Sequence, residues 1–588
     1  MADLHLTEDR ADPIERAAVD AVVDPVGPAV RIEGDRLVIG GTTRRRERRH
    51  LLLPALHALQ NAAGWVSPGG LNHVADRLQV PPAEAYGVAS FYDLLRTEAP
   101  EHDGPTTHVC VDPACRIAGA DALAARVEAE GGHVHASPCL GQCERAPATF
   151  VQGRGEPDHV PADATVGVGV PRIGDPGHRL LARVGRVDPA SLASYREHGG
   201  YLALGRALDL GPDGVIGAVE TAGLTGRGGA AFPTGVKWRA VRDVGGAAKH
   251  VVANADESEP GTFKDRIVME ADPFALVEAM TIAGVTVGAE QGWIYVRGEY
   301  PRPTHRLSAA IGQARAAGLL GDDVSGSGLT FDIEIRRGAG AYICGEETAL
   351  FNSIEGYRGE PRTKPPFPTT NGLFGEPTVI NNPETLLNVP PILLDGPERY
   401  RSVGTDASPG TRLFCLSGRV AEPGLYEAPF GVTLGELLDR AGGVSGELAA
   451  VLLGGAAGAF VGPDDLDVRL SLEDTRAAGL TLGSGVVTVF DTTVDLVDVV
   501  TRVTEFFRHE SCGQCVPCRV GTVRQHEIVA RVGAEGPLSD HERTLLADVD
   551  GVMTDASICG LGQTAASAVR TALALGLLDP TTGKGGRA

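Results

Sequence analysis

The chain of 588 residues has no apolar run that reaches the ~18 residues that a membrane-crossing helix needs. It has no basic excess either: 53 Lys and Arg stand against 76 Asp and Glu, a formal net charge of −23. Tracking a phosphate backbone requires basic stripes, so a nucleic-acid partner is excluded. The acidity points to no particular substrate, because acidic surfaces mostly serve solubility. No internal repeat is evident. Cysteine is sparse, at ten residues, and its clustering differs from a disulfide framework. Clustered thiols fit a reducing compartment, so a cytoplasmic location is expected. The basic run Arg44–Arg49 before Leu51-Leu52-Leu53 has the look of a twin-arginine export signal. It breaks at Pro54 and His57 and continues with helical periodicity, so it reads as the start of an amphipathic helix.

What is present is ordinary globular material, 43% hydrophobic and 22% charged, enough for several domains. Glycine is abundant at 78 residues, which favours loops that bring backbone close to ligands. Residues 1–45 are charge-rich with Pro and Gly and read as a loosely ordered arm. From 46 to 95 the pattern is of short helices, with Ser67-Pro68 and Val80-Pro81 marking starts. "THVCV", "GADALAARVEAE" and "ATFVQ" then read strand, helix, strand, so that 46–180 forms a helical plus thioredoxin-like unit. Residues 200–400 alternate strands ("HVVANAD", "GWIYVRGEY", "FDIEIRRGAGAYIC") with helices, an α/β pattern. Short strands around one helix fill 410–495, and 500–588 is helical.

Eight cysteines fall into two ligand sets. Cys110, Cys115, Cys139 and Cys143 read C-x4-C-x23-C-x3-C, while Cys512, Cys515, Cys518 and Cys559 read C-x2-C-x2-C-x40-C. Thiolates select iron–sulfur clusters and zinc, and four complete either site. The second set, a compact triplet plus one remote Cys, suits [4Fe–4S]; zinc sites usually come as two CxxC pairs. The first set is two pairs, which suits [2Fe–2S], one pair per iron, although zinc fits that spacing too. Cys344 and Cys415 read as small buried residues.

Between the sets, "GLTGRGGAAFPTGVKW" can cradle a phosphate on glycine N–H groups with Lys237 beyond, or simply turn. It matches G-x-G-x-x-G only if Ala231 stands in the third place. "NADESEPGTFKDR" crowds Asp256, Glu257 and Glu259 into a loop, either a solvated turn or acceptors for ligand hydroxyls. "GAGAYICGEETAL" reads as a glycine turn entering a helix with Glu346 and Glu347 at its N-terminus.

Taken in order with "KPPFP", "INNPET" and "ESCGQCVPCR", these motifs resemble the NADH-binding flavoprotein subunit of complex I over residues 200–585. "HLLLPALHALQNAAGWV", "YGVASFYDLL", "CVDPAC" and "CLGQCERAP" resemble that complex's thioredoxin-like [2Fe–2S] subunit over 46–180. The resemblance implies an α/β multidomain protein. Its parts would be a helical plus thioredoxin-like N-terminal domain, an FMN-binding α/β domain, a ubiquitin-like SLBB domain and a C-terminal helical bundle. By motif match, FMN would be held by Gly226, Arg227, Gly228, Gly229, Lys237, Asn254, Asp256, Glu257, Ser258, Tyr342, Gly345, Glu346, Asn381, Asn382 and Thr385. NADH would use Phe232, Glu259, Glu347, Lys364 and Phe367. Departures from the family pattern are Thr225 for Arg, Ala231 for Gly, and a short x23 gap that implies a trimmed hairpin. Ala231 costs roughly a kcal/mol or more if its backbone needs φ > 0.

The resemblance implies a diaphorase in which flavin exchanges hydride with NAD(H) and single electrons with the clusters, with no acid or base residue. The C-terminal cluster would be the main route and the N-terminal one a side reservoir. Fusion of two normally separate subunits is similar to soluble NAD-dependent formate dehydrogenases and NAD-reducing hydrogenases. The preferred reading is the β subunit of a formate dehydrogenase, paired with a molybdenum- or tungsten-containing α subunit. The alternatives are a hydrogenase diaphorase, a complex I module, and a flavin-free electron-transfer scaffold or zinc-binding assembly protein.

Overall fold

The computed structural model describes residues 6–24, 48–102, 104–157, 168–246 and 248–579. Four helices come first: α1 (Pro13–Val23), α2 (Leu52–Ala63), α3 (Pro68–Leu78) and α4 (Pro82–Ala89). Helix α1 corrects the expectation of a loosely ordered arm. Asp12 accepts hydrogen bonds from the Ile14 and Glu15 amides, and the Glu15 carboxylate accepts from the Asp12 N–H, a reciprocal cap. Val19 and Val23, four apart on one face, are fully buried where α1 packs on α2 and α3. The remainder of 1–45 lies outside the described residues. Ser67 caps α3 through the Gly70 amide, and Pro81 precedes α4, as the Pro signals indicated. Leu52, Leu53 and Leu56 bury the apolar face of α2; Arg44–Glu47 of the basic run lie outside the described residues.

The next unit contains β1 (Thr106–Cys110), α5 (Pro113–Ile117), α6 (Ala120–Ala129), β2 (His133–Ser137) and β3 (Thr149–Gln152). Its sheet has the order β2-β1-β3, with β2 parallel and β3 antiparallel to β1. The polar strand "HVHAS" of β2 was not legible from hydrophobic alternation.

The central unit contains α7 (Leu202–Ala222), α8 (Thr234–Arg242), β4 (His250–Ala255), α9 (Lys264–Ala271), α10 (Pro273–Val287), β5 (Gln291–Val296), α11 (Pro301–Ala316), β6 (Asp332–Arg337), α12 (Glu347–Ile354), β7 (Thr378–Asn381) and α13 (Pro383–Leu387). Its four strands are all parallel, in the order β6-β5-β4-β7. Both faces of this sheet are covered, which is why β4, β5 and β7 are nearly continuous apolar runs. Every residue of α10 is buried, because the helix lies between the sheet and α7. The chain leaves β4 towards β5 on one side, while β7 returns to the other, creating a switch point between β4 and β7.

A five-stranded mixed sheet follows: β8 (Thr411–Gly418), β9 (Gly424–Pro429), β10 (Leu448–Leu453), β11 (Ala459–Val461) and β12 (Val486–Asp491), in the order β11-β10-β12-β8-β9. The helix expected here, α14 (Leu434–Arg440), is joined by a second short one at Leu472–Ala477. The last unit is the bundle α15 (Leu496–Glu510), α16 (Val516–Glu535), α17 (Asp540–Ala556), α18 (Gly560–Thr564) and α19 (Ser567–Ala574). These units are not independent beads. Leu52 and Val74 from the first helices, Trp293 and Tyr295 from the central sheet, Leu452 and Phe490 from the mixed sheet, and Val500 and Phe507 from α15 belong to one contiguous core.

Candidate functional site

A cavity of about 590 Å³ opens beyond the carboxyl ends of the parallel strands. Strand order explains its contents. The end of β4 supplies Asn254 and the segment after it Asp256, Glu257, Ser258 and Glu259; the loop after β6 supplies Tyr342, Gly345, Glu346 and Glu347; the segment after β7 supplies Asn382 and Thr385, beside Asn381 at its end. Gly226, Gly228, Gly229, Phe232 and Lys237 close the cavity from the loop entering α8. Lys364 completes the set. Residues far apart in sequence thus meet because parallel strands end on one side.

Several of these side chains hold the wall. The Asn254 amide donates to the Gly345 carbonyl (2.8 Å), joining the β4 and β6 loops. Asn382 accepts from Lys264 (3.0 Å) and donates to Asp265 (2.7 Å). Glu257 is fully engaged: its carboxylate accepts from the Asp265 and Arg266 amides, Thr262 and Tyr300. Glu346 caps α12 by accepting from the Thr348 and Ala349 amides. The Lys237 ammonium donates to the Ile380 carbonyl (3.0 Å), and burial lowers its pKa.

Others face the cavity with capacity to spare. Asp256 Oδ2 and Ser484 Oγ are buried without a hydrogen-bond partner. Burial holds the Asp256 carboxyl well above the usual carboxylate range, with Arg297 opposing. Glu259 accepts from Tyr342 Oη (2.5 Å) and the Ala457 amide (2.8 Å), yet burial pushes its pKa up to about 7. Lys364 Nζ donates to Glu346 (3.0 Å) and Glu347 (2.8 Å). Burial alone would lower the Lys364 pKa, but those two carboxylates outweigh it and the net shift is upward.

Two residues do not join the cavity. The Arg227 guanidinium turns away, donating to Thr225 Oγ1 (2.8 Å), Tyr400 Oη (2.9 Å) and the Pro409 carbonyl (3.2 Å), and lies over the Phe430 ring. It ties the glycine loop to the mixed-sheet unit, and Thr225, the departure from the family pattern, is one of its acceptors. Phe367 is 57% exposed and lies outside the lining. Conversely, Gly454, Ala457, Gly483 and Ser484 from the mixed-sheet unit and Leu561 from α18 line the cavity unforeseen. The doublet Gly454-Gly455 was the only local signal for them.

The cysteine sets lie on two sides of this cavity. Cys110, Cys115, Cys139 and Cys143 are all buried, and Cys139 Sγ is 3.5 Å from Cys143 Sγ. Their pocket is walled by Pro260, Gly261, Leu452 and Thr488. Gly141, between the second pair, has φ +64, and an added Cβ would meet Tyr300 Oη at 2.0 Å. Buried Arg297 and Arg266 donate to the Cys139 and Gly141 carbonyls at 2.6 and 2.7 Å and fix this loop on the central unit. Cys512, Cys515, Cys518 and Cys559 line one small enclosed pocket with Ile343, Pro361 and Leu561. Cys515 and Cys559 are the residues that immediately precede α16 and α18. Cys344 and Cys415 are buried away from both sets, as expected.

A family profile described as Nuo51 FMN-binding domain matches residues 219–391. Others match the NADH-ubiquinone oxidoreductase-F iron-sulfur binding region over 498–575, a thioredoxin-like [2Fe-2S] ferredoxin over 41–165, and an SLBB domain over 413–456. An F-type subunit of the NADH-quinone oxidoreductase of Rhizobium meliloti (strain 1021) is 45% identical over 399 residues, covering 67% of this chain and 94% of that protein. The chain belongs to the family of NADH-quinone oxidoreductase F-type subunits. Within this likeness, the NADP-reducing hydrogenase subunit HndC of Solidesulfovibrio fructosivorans is 43% identical over 384 residues, 65% of this chain and 78% of that one. A solved NAD+-reducing [NiFe]-hydrogenase in the air-oxidized state superimposes with a TM-score of 0.77 at 33% identity, covering 90% of this chain and 93% of its own.

The residues present fit the cofactors of the family. Glycines without side chains, the Lys237 ammonium and the unpaired Asp256 and Ser484 oxygens suit FMN; the four thiols lining the C-terminal pocket, and the three lining the N-terminal one with Cys139 Sγ 3.5 Å from Cys143 Sγ, suit clusters. The chain is an NADH dehydrogenase flavoprotein subunit with FMN, [2Fe–2S] and [4Fe–4S] sites. Among the described residues, no helix is long and apolar enough to cross a membrane.

Proposed function

We propose that this subunit is a cytoplasmic diaphorase that exchanges electrons between NAD(H) and the metal centre of a separate catalytic subunit. The observation that carries the reading is a pair of shared walls. Ile343 and Leu561 line both the flavin cavity and the Cys512–Cys559 pocket. On the other side, Glu259 lines the cavity while its neighbours Pro260 and Gly261 line the Cys110–Cys143 pocket. FMN, when bound, supplies the exchange between a two-electron hydride and one-electron clusters.

The residues bind and orient; none is placed to move a substrate proton. Lys237 and the glycine loop would hold the FMN phosphate, and Asn254 and Asp256 would offer hydrogen bonds to its polar atoms. Glu259, Glu347 and Lys364 receive the hydroxyl and phosphate groups of NADH, with Phe232 at the mouth. Glu257 and Asn382 keep these loops in register. Val516, Val520 and Ile558 are exposed apolar residues beside the C-terminal cluster pocket, which suits docking of the electron-exchanging partner there.

The partner we favour is a formate dehydrogenase α subunit with molybdenum or tungsten, a reading that rests on the fused arrangement of the two N- and C-terminal modules. A second reading, a hydrogenase partner, is favoured by the 90% coverage of this chain by the NAD+-reducing [NiFe]-hydrogenase structure. Purifying the complex and measuring its metals decides. Molybdenum or tungsten with formate-dependent NAD+ reduction is expected; nickel with hydrogen-dependent reduction overturns the formate reading. Protein with neither a flavin spectrum nor NADH:ferricyanide activity overturns the diaphorase itself.

A further inference from the structure

Outside the cofactor sites, one side-chain cluster has the composition of a metal centre. Asp93, His108 and His135 offer one ligand atom each, all within 4.8 Å of one another. His135 Nε2 is 3.6 Å from Asp93 Oδ2. His108 on β1 and His135 on β2 are direct partners in the parallel register, with ring centroids 4.8 Å apart.

The decisive residue is His108. It is only 2% exposed; neither Nδ1 nor Nε2 makes a hydrogen bond of normal geometry, and the Gln152 side chain, whose own Oε1 is also unpaired, interacts with the ring. A neutral imidazole carries one N–H and one lone pair; Gln152 can serve one of them, so burial leaves at least one ring nitrogen unsatisfied unless something else binds. Phe150 closes one side of its ring. The remaining facing groups are Gln152, Arg96 and, towards Asp93, His509. Asp93 supplies the anionic countercharge among them.

We propose that Asp93, His108 and His135 form a mononuclear site for a divalent transition metal of the zinc class, separate from both four-cysteine sets. Two imidazoles and one carboxylate with no thiolate are a zinc-type donor set, and a water completes four-coordination. Bonds of the usual length place tetrahedral ligands about 3.3 Å apart. Asp93 and His135 have half-exposed side chains, 45% and 44%, and can close the present spacing by rotation while the His108 ring stays fixed. The site is also tied to the flavin cavity. The Asp93 N–H donates to the Gly340 carbonyl (3.1 Å) and the Leu94 N–H to Ala339 (2.9 Å), in the loop that leads to Tyr342. A bound ion pins the thioredoxin-like sheet to that loop.

The test uses the complete, flavin- and iron-loaded protein. After EDTA treatment and desalting, it is titrated with Zn2+ against a chromophoric competitor, alongside His135→Ala and Asp93→Ala, both changes at half-exposed side chains. Expected is one Zn2+ per chain, bound at least about tenfold more weakly in each variant, with iron and flavin contents unchanged. Co2+ in place of Zn2+ should give visible d–d bands without the intense near-ultraviolet thiolate band. Failure of the native protein to take up Zn2+, equal affinity in the variants, or a thiolate band on Co2+ would each overturn the site.

Discussion

Glu259 shows how one buried carboxylate can set the pH range of ligand binding. Burial raises its pKa from 4.5 to about 7 against the hydrogen bonds from Tyr342 and Ala457. Between those values the folded chain holds a proton that the unfolded chain has released. This group's contribution to folding therefore declines as pH rises through that window. For the proposed NADH contact the sign reverses, because the carboxylate, the stronger acceptor for a ribose hydroxyl, is present only above about 7. The KM for NADH should rise by about tenfold as pH falls below that value, a loss of charged hydrogen bonds worth about 1.5–3 kcal/mol. Glu259→Gln should flatten the profile; a persisting break near pH 7 would assign it elsewhere. Lys364 bridges Glu346 and Glu347, so Lys364→Ala should raise the NADH KM by about tenfold with iron content intact. Unchanged kinetics would remove Lys364 from the site. Ala231, at φ +52, carries the left-handed strain anticipated at the position where the family pattern has glycine.

Helix α15 links the two cluster-bearing ends of the chain. Arg502 donates to Asp112 of the N-terminal cluster loop at 2.9 Å, both side chains buried, and Arg116 of α5 reaches Asp498 at 2.5 Å. Arg502→Ala leaves Asp112 buried and uncompensated, so docking of the thioredoxin-like unit should weaken by about 3–5 kcal/mol. Hydrogen exchange should then quicken along β1 and α5, while Arg502→Met with Asp112→Asn recovers most of the protection. Equal exchange in native and single-variant protein would show the clamp to be dispensable. The first helices act on the flavin loop in the same indirect way. His57 of α2 contacts the Gly338 carbonyl at 3.0 Å, with its pKa lowered by burial to about 3, so the neutral ring is what supports this loop.

At the scale of the molecule, one flavin cavity has two thin walls, each with a cluster pocket behind it. Exposed Val516, Val520 and Ile558 lie beside the C-terminal pocket, so the exit to a partner is expected there. Cys559→Ser should abolish NAD+ reduction driven by the partner subunit while NADH:ferricyanide activity persists, with the loss of one cluster signal visible by paramagnetic resonance. Cys139→Ser should remove the other signal and leave the partner-driven rate largely in place. Partner-driven activity surviving Cys559→Ser would reverse the two roles.

The two cysteine sets, the glycine loop and the acidic loops were legible because their chemistry is local: ligand number, spacing and turn residues lie within short stretches of chain. Strands β4, β5 and β6 were legible for the same reason, as strand-like runs bounded by turns. The side chains' directions were not. Arg227 looked like a phosphate ligand, but Tyr400 and Pro409, far along the chain, offer its guanidinium buried acceptors. Glu257 looked like a free acceptor until folding brought it four donors. Helix α1 was hidden in a charge-rich segment because few of its apolar residues, chiefly Val19 and Val23, reach the core. The sequence by itself therefore determined the two four-cysteine ligand sets, since ligand number and spacing are local, and the ordered motifs by which the chain resembles its family. Tertiary structure alone decided that Arg227 and Phe367 stay out of the flavin cavity while Gly454 and Ser484 enter it, which wall each cluster pocket stands behind, and that two histidines and an aspartate meet. Parallel strand order and shared packing set those distances, and neither is written in local spacing.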